Sequence, residues 1–267
     1  MTTPANLYMT FTPFTHQRGL VLDLSDDAFP SHVSAWENAV LTLPAGATHY
    51  GMVTAGHACL RTNYGTYTLQ PGMFFVLPGN GTIESGTGAA HTTPSTPGAS
   101  EAGAAVPSSE GCGLVISRLS YHGLFQVGGP VEGTGRLRYI DGCSDTLLAC
   151  PPLLGEPCLN HLHIPPHTCQ TEHTHPSIRL GIILRGHGEC RTPKGIFALS
   201  PGMVWYIPTG CLHAFYTAEE ALDVIAWHPD SDFGPTHTNH PMVNRTHIEG
   251  ASASSIPKIQ TDPLPAT

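Results

Sequence analysis

The segments GHACLRTNYGTYTLQPGMFFVLPGN, residues 56–80, and GHGECRTPKGIFALSPGMVWYIPTG, residues 186–210, align without a gap when the sequence is shifted by 130 positions. Ten of the 25 positions are identical: Gly56/Gly186, His57/His187, Arg61/Arg191, Thr62/Thr192, Gly65/Gly195, Leu69/Leu199, Pro71/Pro201, Gly72/Gly202, Met73/Met203 and Pro78/Pro208. The matches fall mainly on Gly and Pro, residues that set backbone turns, so the duplicated object is a backbone path and the chain reads as two copies of one unit.

Around these segments, apolar runs of four to seven residues alternate with Gly, Pro, Asn and Ser. They lie at 36–43, 51–53, 66–69 and 73–77 in the first copy, and at 179–184, 195–199, 203–207 and 222–227 in the second. Such short, β-branched and aromatic runs predict antiparallel strands closing a sandwich or barrel, and no window of twelve residues holds a helical apolar period. The expected class is all-β, with two tandem barrels over residues 1–145 and 146–267. Residues 79–113, rich in Gly, Ala, Ser and Thr, read as a flexible insert in the first barrel.

Composition narrows the function. The 267 residues hold 17 His against 11 Lys plus Arg, and the net charge is −9. So few cations cannot form the basic stripe that grips a phosphate backbone, which argues against nucleic acid as a partner. No apolar run is long enough to span a membrane, and residues 1–12 have no signal-peptide pattern, so a cytoplasmic protein is expected. Eight cysteines without a C-x-x-C pair predict reduced thiols.

The histidines cluster in the second copy. His173-Thr-His175 precedes the strand that begins near Arg179, and Gly202-x5-Pro208-x-Gly210-x2-His213 launches a third histidine from a tight turn. Side chains alternate along an extended strand, so His173 and His175 share a side, and with His213 they make a facial set for a divalent transition metal.

These two segments resemble the motifs of the cupin superfamily, G-x5-H-x-H-x3/4-E-x6-G and G-x5-P-x-G-x2-H-x3-N. The second motif matches here at every position but the last, where Thr217 stands. The resemblance covers most of residues 36–228 and implies two double-stranded β-helix barrels, the second retaining the metal. It departs at Arg179, which occupies the place of the usual glutamate ligand and whose cation cannot coordinate a metal. The remaining three-histidine pattern is similar to that of cupin dioxygenases that hold Fe(II) without a carboxylate. The resemblance therefore implies a mononuclear non-haem iron dioxygenase acting on a small anionic substrate, with Arg179 gripping the anion; Zn(II), Mn(II), Ni(II) and Cu(II) are chemically compatible alternatives.

The first copy carries Leu43, Ala45 and Ile83 at the positions of the three histidines, and His49 at that of Arg179. It is expected to pack against the metal-binding barrel and to help form a homodimer. His161 and His163 share a face of a strand before the motif. Turned inward they are candidates for a fourth ligand or a general acid/base, and His163 is the catalytic candidate; turned outward they are half-exposed strand residues. Two further classes of function stay open at this point: a redox-silent lyase or isomerase using the metal as Lewis acid, and a non-enzymatic small-molecule-binding cupin.

Overall fold

The computed structural model describes residues 12–14, 19–86 and 111–257, the first three by their backbone. The chain begins with β1 (Thr12–Phe14), β2 (Gly19–Leu24), β3 (Ser31–Glu37), β4 (Val40–Leu43) and β5 (Ala47–Ala55). Next come β6 (Ala58–Thr62), β7 (Gly65–Leu69), β8 (Phe74–Pro78), β9 (Gly81–Ser85), β10 (Cys112–Leu119) and β11 (Gln126–Gly128). The second half holds β12 (Leu137–Arg138), β13 (Ser144–Ala149), β14 (Cys158–Ile164), β15 (Arg179–Gly186) and β16 (Gly188–Thr192). β17 (Gly195–Leu199), β18 (Val204–Ile207), β19 (Ala214–Tyr216) and β20 (Leu222–His228) complete it, before a short helix, α1 (Pro241–Arg245).

Each barrel pairs a large sheet with a small one. The large sheet of the first runs β11-β8-β5-β10-β3-β2 and that of the second β1-β18-β15-β20-β14-β13-β12. The two orders correspond strand for strand through β8/β18, β5/β15, β10/β20, β3/β14 and β2/β13. β1, at the start of the chain, extends the second barrel's sheet, with Thr12 opposite Tyr206. The small sheets, β4-β9-β6-β7 and β17-β16-β19, close the other sides. The fold is all-β, two tandem barrels of matching strand order.

The duplication is visible at single hydrogen bonds. Gly72 N–H donates to Val53 O at 2.8 Å, and Gly202 N–H to Ile183 O at 2.8 Å. Val53 N–H donates to Met73 O at 3.0 Å, and Ile183 N–H to Met203 O at 2.9 Å. Gly72 and Gly202 adopt φ of 82° and 83°, a left-handed conformation that glycine enters without steric cost. A second matched pair serves close packing. A Cβ on Gly51 would lie 2.1 Å from the Phe75 ring, and one on Gly181 would lie 2.5 Å from the Trp205 ring and 1.9 Å from Ile225 O. Phe75 and Trp205 are themselves 130 positions apart, so both barrels seat an aromatic ring on a bare stretch of backbone.

The central strands of the large sheets are buried on both faces, which accounts for their near-continuous apolar runs. Tyr50, Met52, Phe74, Val76, Leu114 and Ile116 from one barrel pack with Leu180, Ile182, Val204, Tyr206, Ile225 and Trp227 from the other in one core. The interior of the first barrel is filled by Trp36, Leu60, Phe75, Leu77, Ile83 and Val115, among others.

Three expectations change. The run 36–43 is two strands, because Asn38 takes φ 49° and turns the chain between Glu37 and Val40; a short polar side chain tolerates that conformation. Residues 81–85 and 112–113, assigned to the insert, belong to β9 and β10, where Ile83 is fully buried; residues 87–110 lie outside the described residues. The division at 145/146 falls inside β13, and β12 already pairs with β13 in the second barrel's sheet.

Replacing Gly181 by Ala should destabilise the protein by about 3 kcal/mol through overpacking, whereas Gly133→Ala, with nothing within 4 Å of its new Cβ, should change stability by less than about 0.5 kcal/mol. Urea denaturation of both variants measures the difference.

Candidate metal centre

Strand β15 and the turn before β19 bring the three predicted histidines together. His173 and His213 form an isolated antiparallel bridge in which each backbone N–H donates to the other's carbonyl at 3.0 Å. Gly210 N–H donates to His175 O at 3.0 Å, tying the Pro208–Gly210 turn to the second histidine. Ring centroids lie 4.5 Å apart for His173 and His213, and 5.1 Å for each pair with His175. One ligand nitrogen from each comes within 4.8 Å of the others.

Tautomers are set by the backbone. His173 Nδ1 donates to Thr171 O at 2.8 Å, and His213 Nδ1 to Cys211 O at 2.9 Å. Each Nε2 is left with a lone pair, the arrangement found behind metal-bound imidazoles. His213 Nε2 is buried and has no hydrogen-bond partner, an orphaned acceptor that a cation would satisfy. Burial first, then the Arg179 guanidinium and the other two rings, pushes His175 down to about 3. Burial likewise pushes His213 down to about 4, against its hydrogen bond to Cys211. Both are neutral at physiological pH and ready to coordinate. Three imidazole nitrogen donors within reach of one another on a cavity fit a divalent transition metal.

The histidines line a cavity of about 410 Å³ that also takes in Arg179, Tyr139, Asp145, Asn160, Trp205 and His228. Arg179 therefore faces the same space as the histidines. Its Nη1 donates to Ser177 Oγ at 2.6 Å and to Ile178 O at 3.0 Å, and Asp230 lies 4.0 Å away, so the side chain is held against the start of its own strand. Its charge acts on His175, His213 and His228 alike.

His161 and His163 are not part of this site. Residues 160 and 162 of β14 line the cavity, so alternation turns 161 and 163 to the opposite face. There Asp223 Oδ1 accepts from His161 Nε2 at 2.8 Å and from His163 Nδ1 at 2.9 Å, while Arg185 Nε donates to Oδ2 at 2.8 Å. The sequence-based candidacy of His163 as a catalytic residue is corrected by this placement: an ion-pair cluster on the outer face holds it.

Sequence reasoning passed over His228, Asp145 and Asn160. His228 ends the cavity-facing series Val224, Ala226, His228 on β20. Its Nδ1 donates to Asp230 O at 2.6 Å, and burial followed by Arg179 pushes it down to about 4. Period-two alternation from Val224 was the available signal, masked by the histidine-rich tail that follows. That tail reaches the cavity through Asp232. The first barrel has no counterpart: His49 is buried between Ser117 Oγ at 2.7 Å and Pro44 O at 2.9 Å, and among the described residues His173, His175 and His213 are the one metal-type group.

A pH dependence follows. His175, His213 and His228 have folded values below the ordinary 6.5, so the unfolded chain binds more protons as pH falls through 6.5. Stability of the metal-free protein should decline from pH 7 toward pH 4, each such group contributing a slope of up to about 1.4 kcal/mol per pH unit. Denaturation of His213→Asn across this range should show a shallower slope than wild type.

Comparison with known proteins agrees with this architecture. Residues 160–228 match the cupin domain family model. No curated protein matches the chain in sequence. Among solved structures, a cupin 2 conserved barrel domain protein from Leptotrichia buccalis superposes with a TM-score of 0.53 at 13% identity, over 86% of this chain and 92% of its own. AerE from Microcystis aeruginosa gives 0.54 at 14%, over 84% and 98%. Oxalate decarboxylase from Bacillus subtilis, with Mn(II) centres, gives 0.50 at 11%, over 85% and 78%. Residues 160–228 thus match a cupin domain, and the fold of the chain is like that of two-barrel cupins, with a three-histidine set in its second barrel.

Proposed function

We propose that the protein is a metal-dependent enzyme, a mononuclear non-haem Fe(II) dioxygenase acting on a small anionic substrate in the second barrel. The observation that carries this reading is the presence of Arg179, and of no carboxylate in the ligand cluster, beside three imidazoles on one cavity. His173, His175 and His213 would hold the metal, and their neutrality leaves its full charge to attract an anion. Fe(II) bound there would supply the electron exchange that lets O₂ react with an organic anion.

The chain's own residues perform the remaining tasks. Arg179 presents a permanent cation on the cavity wall, and a guanidinium can grip a carboxylate with two parallel hydrogen bonds. Ser177 and Asp230 hold the guanidinium at Nη1, leaving Nε and Nη2 for the anion, so little rotamer freedom is lost when it arrives. Trp205, Ile207, Phe215 and Leu162 make the deeper wall apolar and limit water around the reacting groups. The imidazole of His228 lies on the same wall, neutral at physiological pH and able to accept a proton at Nε2.

A second reading is favoured by the likeness to the Mn(II)-containing decarboxylase: a redox-silent lyase or isomerase in which the metal acts as a Lewis acid.

Anaerobic loading with Fe(II), followed by O₂ uptake measured with thiols, diketones and hydroxyaromatic acids, separates the two. The dioxygenase reading expects uptake with Fe(II) alone, lost in His175→Ala. Substrate turnover with Mn(II) or Zn(II) and no uptake would establish the second reading instead. Elemental analysis should give one metal per chain for wild type, with His213→Ala weakening affinity beyond the about 10–100-fold typical of losing an outer partner. Arg179→Gln should raise KM for the anion about 10–100-fold, the value of a charge-assisted hydrogen bond, and leave metal content unchanged.

A further inference from the structure

The cavity has a second polar element apart from the three histidines and Arg179. Asp145 on β13 and Asn160 on β14 both line it. The Asn160 amide Nδ2 donates to Asp145 Oδ2, which orients the amide so that Asn160 Oδ1 points elsewhere, and that oxygen is buried without a hydrogen-bond partner. Among the described residues no Lys, Arg or His lies within ion-pair distance of the Asp145 carboxylate; the one Arg on the neighbouring strand, Arg138, makes no bridge to it. Burial pushes the Asp145 carboxyl up, against the hydrogen bond from Asn160 and the nearby His161 ring.

A carboxylate withdrawn from water without a cation, next to a carbonyl oxygen without a donor, is an expensive arrangement unless something supplies both. A complement that is positively charged and carries more than one N–H supplies both at once. A hydroxyl offers one donor and no charge. A primary ammonium offers three donors and a full charge, enough for the carboxylate and the amide oxygen together.

Position sets the spacing. Arg179 begins β15, and the sheet order β15-β20-β14-β13 places Asn160 two strands and Asp145 three strands away. At about 4.8 Å per strand, the two groups stand across the cavity from Arg179 by roughly 10 Å or more between strand axes. Leu147, Leu162, Val224 and Ala226 line the wall between them, a surface suited to methylene groups.

We propose that Asp145 and Asn160 form an ammonium-recognising subsite, and that the substrate is an amino acid whose anionic end and amino end are separated by a short apolar chain. The proposal rests on the anion-binding reading above for the carboxylate end only; the ammonium subsite stands on Asp145 and Asn160. Both residues are specificity determinants in it, and neither is assigned a part in the chemistry.

The test is calorimetric binding to the Zn(II)-loaded protein, which needs no turnover. Three matched ligand sets of two to six carbons are titrated: linear carboxylates, ω-amino carboxylates and n-alkylamines. At one chain length or more, the ω-amino carboxylate should bind at least 10-fold tighter than the carboxylate of equal length. Asp145→Asn should erase that difference without weakening the plain carboxylate, whose unchanged binding also shows that the variant is folded. Asn160→Ala should reduce the preference by a smaller factor. Carboxylates binding as tightly as their amino counterparts at every length would overturn the subsite while leaving the anion reading intact. Amines that bind in an Asp145-dependent way where carboxylates do not would uphold the subsite and overturn the anion reading. No binding by any set would overturn both.

Discussion

The structure depends on one geometric constraint: the central strands of the second barrel's large sheet are buried on both faces, and successive residues of each must satisfy opposite environments. Leu180, Ile182, Val204, Tyr206, Ile225 and Trp227 point to the packing between barrels. Their immediate neighbours Arg179, Trp205, Ile207, Val224 and Ala226 line the cavity. A slip of one residue in any strand would exchange these sets, burying Arg179 among aliphatic side chains and exposing a core face to the cavity. The register that holds the two barrels together is therefore the register that aims the site.

Bare backbone makes this arrangement possible. Gly181 lets Trp205 lie against β15 and Gly51 lets Phe75 lie against β5, in both cases where a methyl group could not fit. From that shared frame the two barrels diverge. In the first, Leu43, Leu60, Leu77 and Ile83 complete a solid interior. In the second, the histidines and Arg179 keep the interior open, because cationic and metal-type side chains cannot be packed against one another without solvent or a ligand. The buried His49, at the position equivalent to Arg179, shows what a polar group requires in a closed barrel: one partner for each ring nitrogen.

Electrostatics in the open barrel follow from burial. Burial, with the Arg179 charge adding to it, keeps His175, His213 and His228 unprotonated together. The reciprocal backbone bonds between His173 and His213 hold two of the rings 4.5 Å apart, tilted by 53°, across an isolated bridge. A cation and a set of neutral donors are thus maintained side by side, a combination suited to holding a metal and an anion in the same space.

The order of the Gly, Pro and apolar runs was enough to read the duplication, the all-β class and the two-barrel fold, because turn residues act locally and leave a mark at fixed spacing. The H-x-H and P-x-G-x2-H segments likewise revealed the three histidines, since their separation within each segment is short enough for strand geometry to decide. What the sequence could not settle were choices between the two faces of a strand. His161 and His163 proved to serve Asp223 on the outer face, while Asn160, one residue before His161, and Asp145, on the neighbouring strand, reached the cavity. Ile83 sat in a stretch that read as loop and became core. Each of these outcomes depends on which side of a sheet meets the other barrel, and that is decided only when both barrels pack.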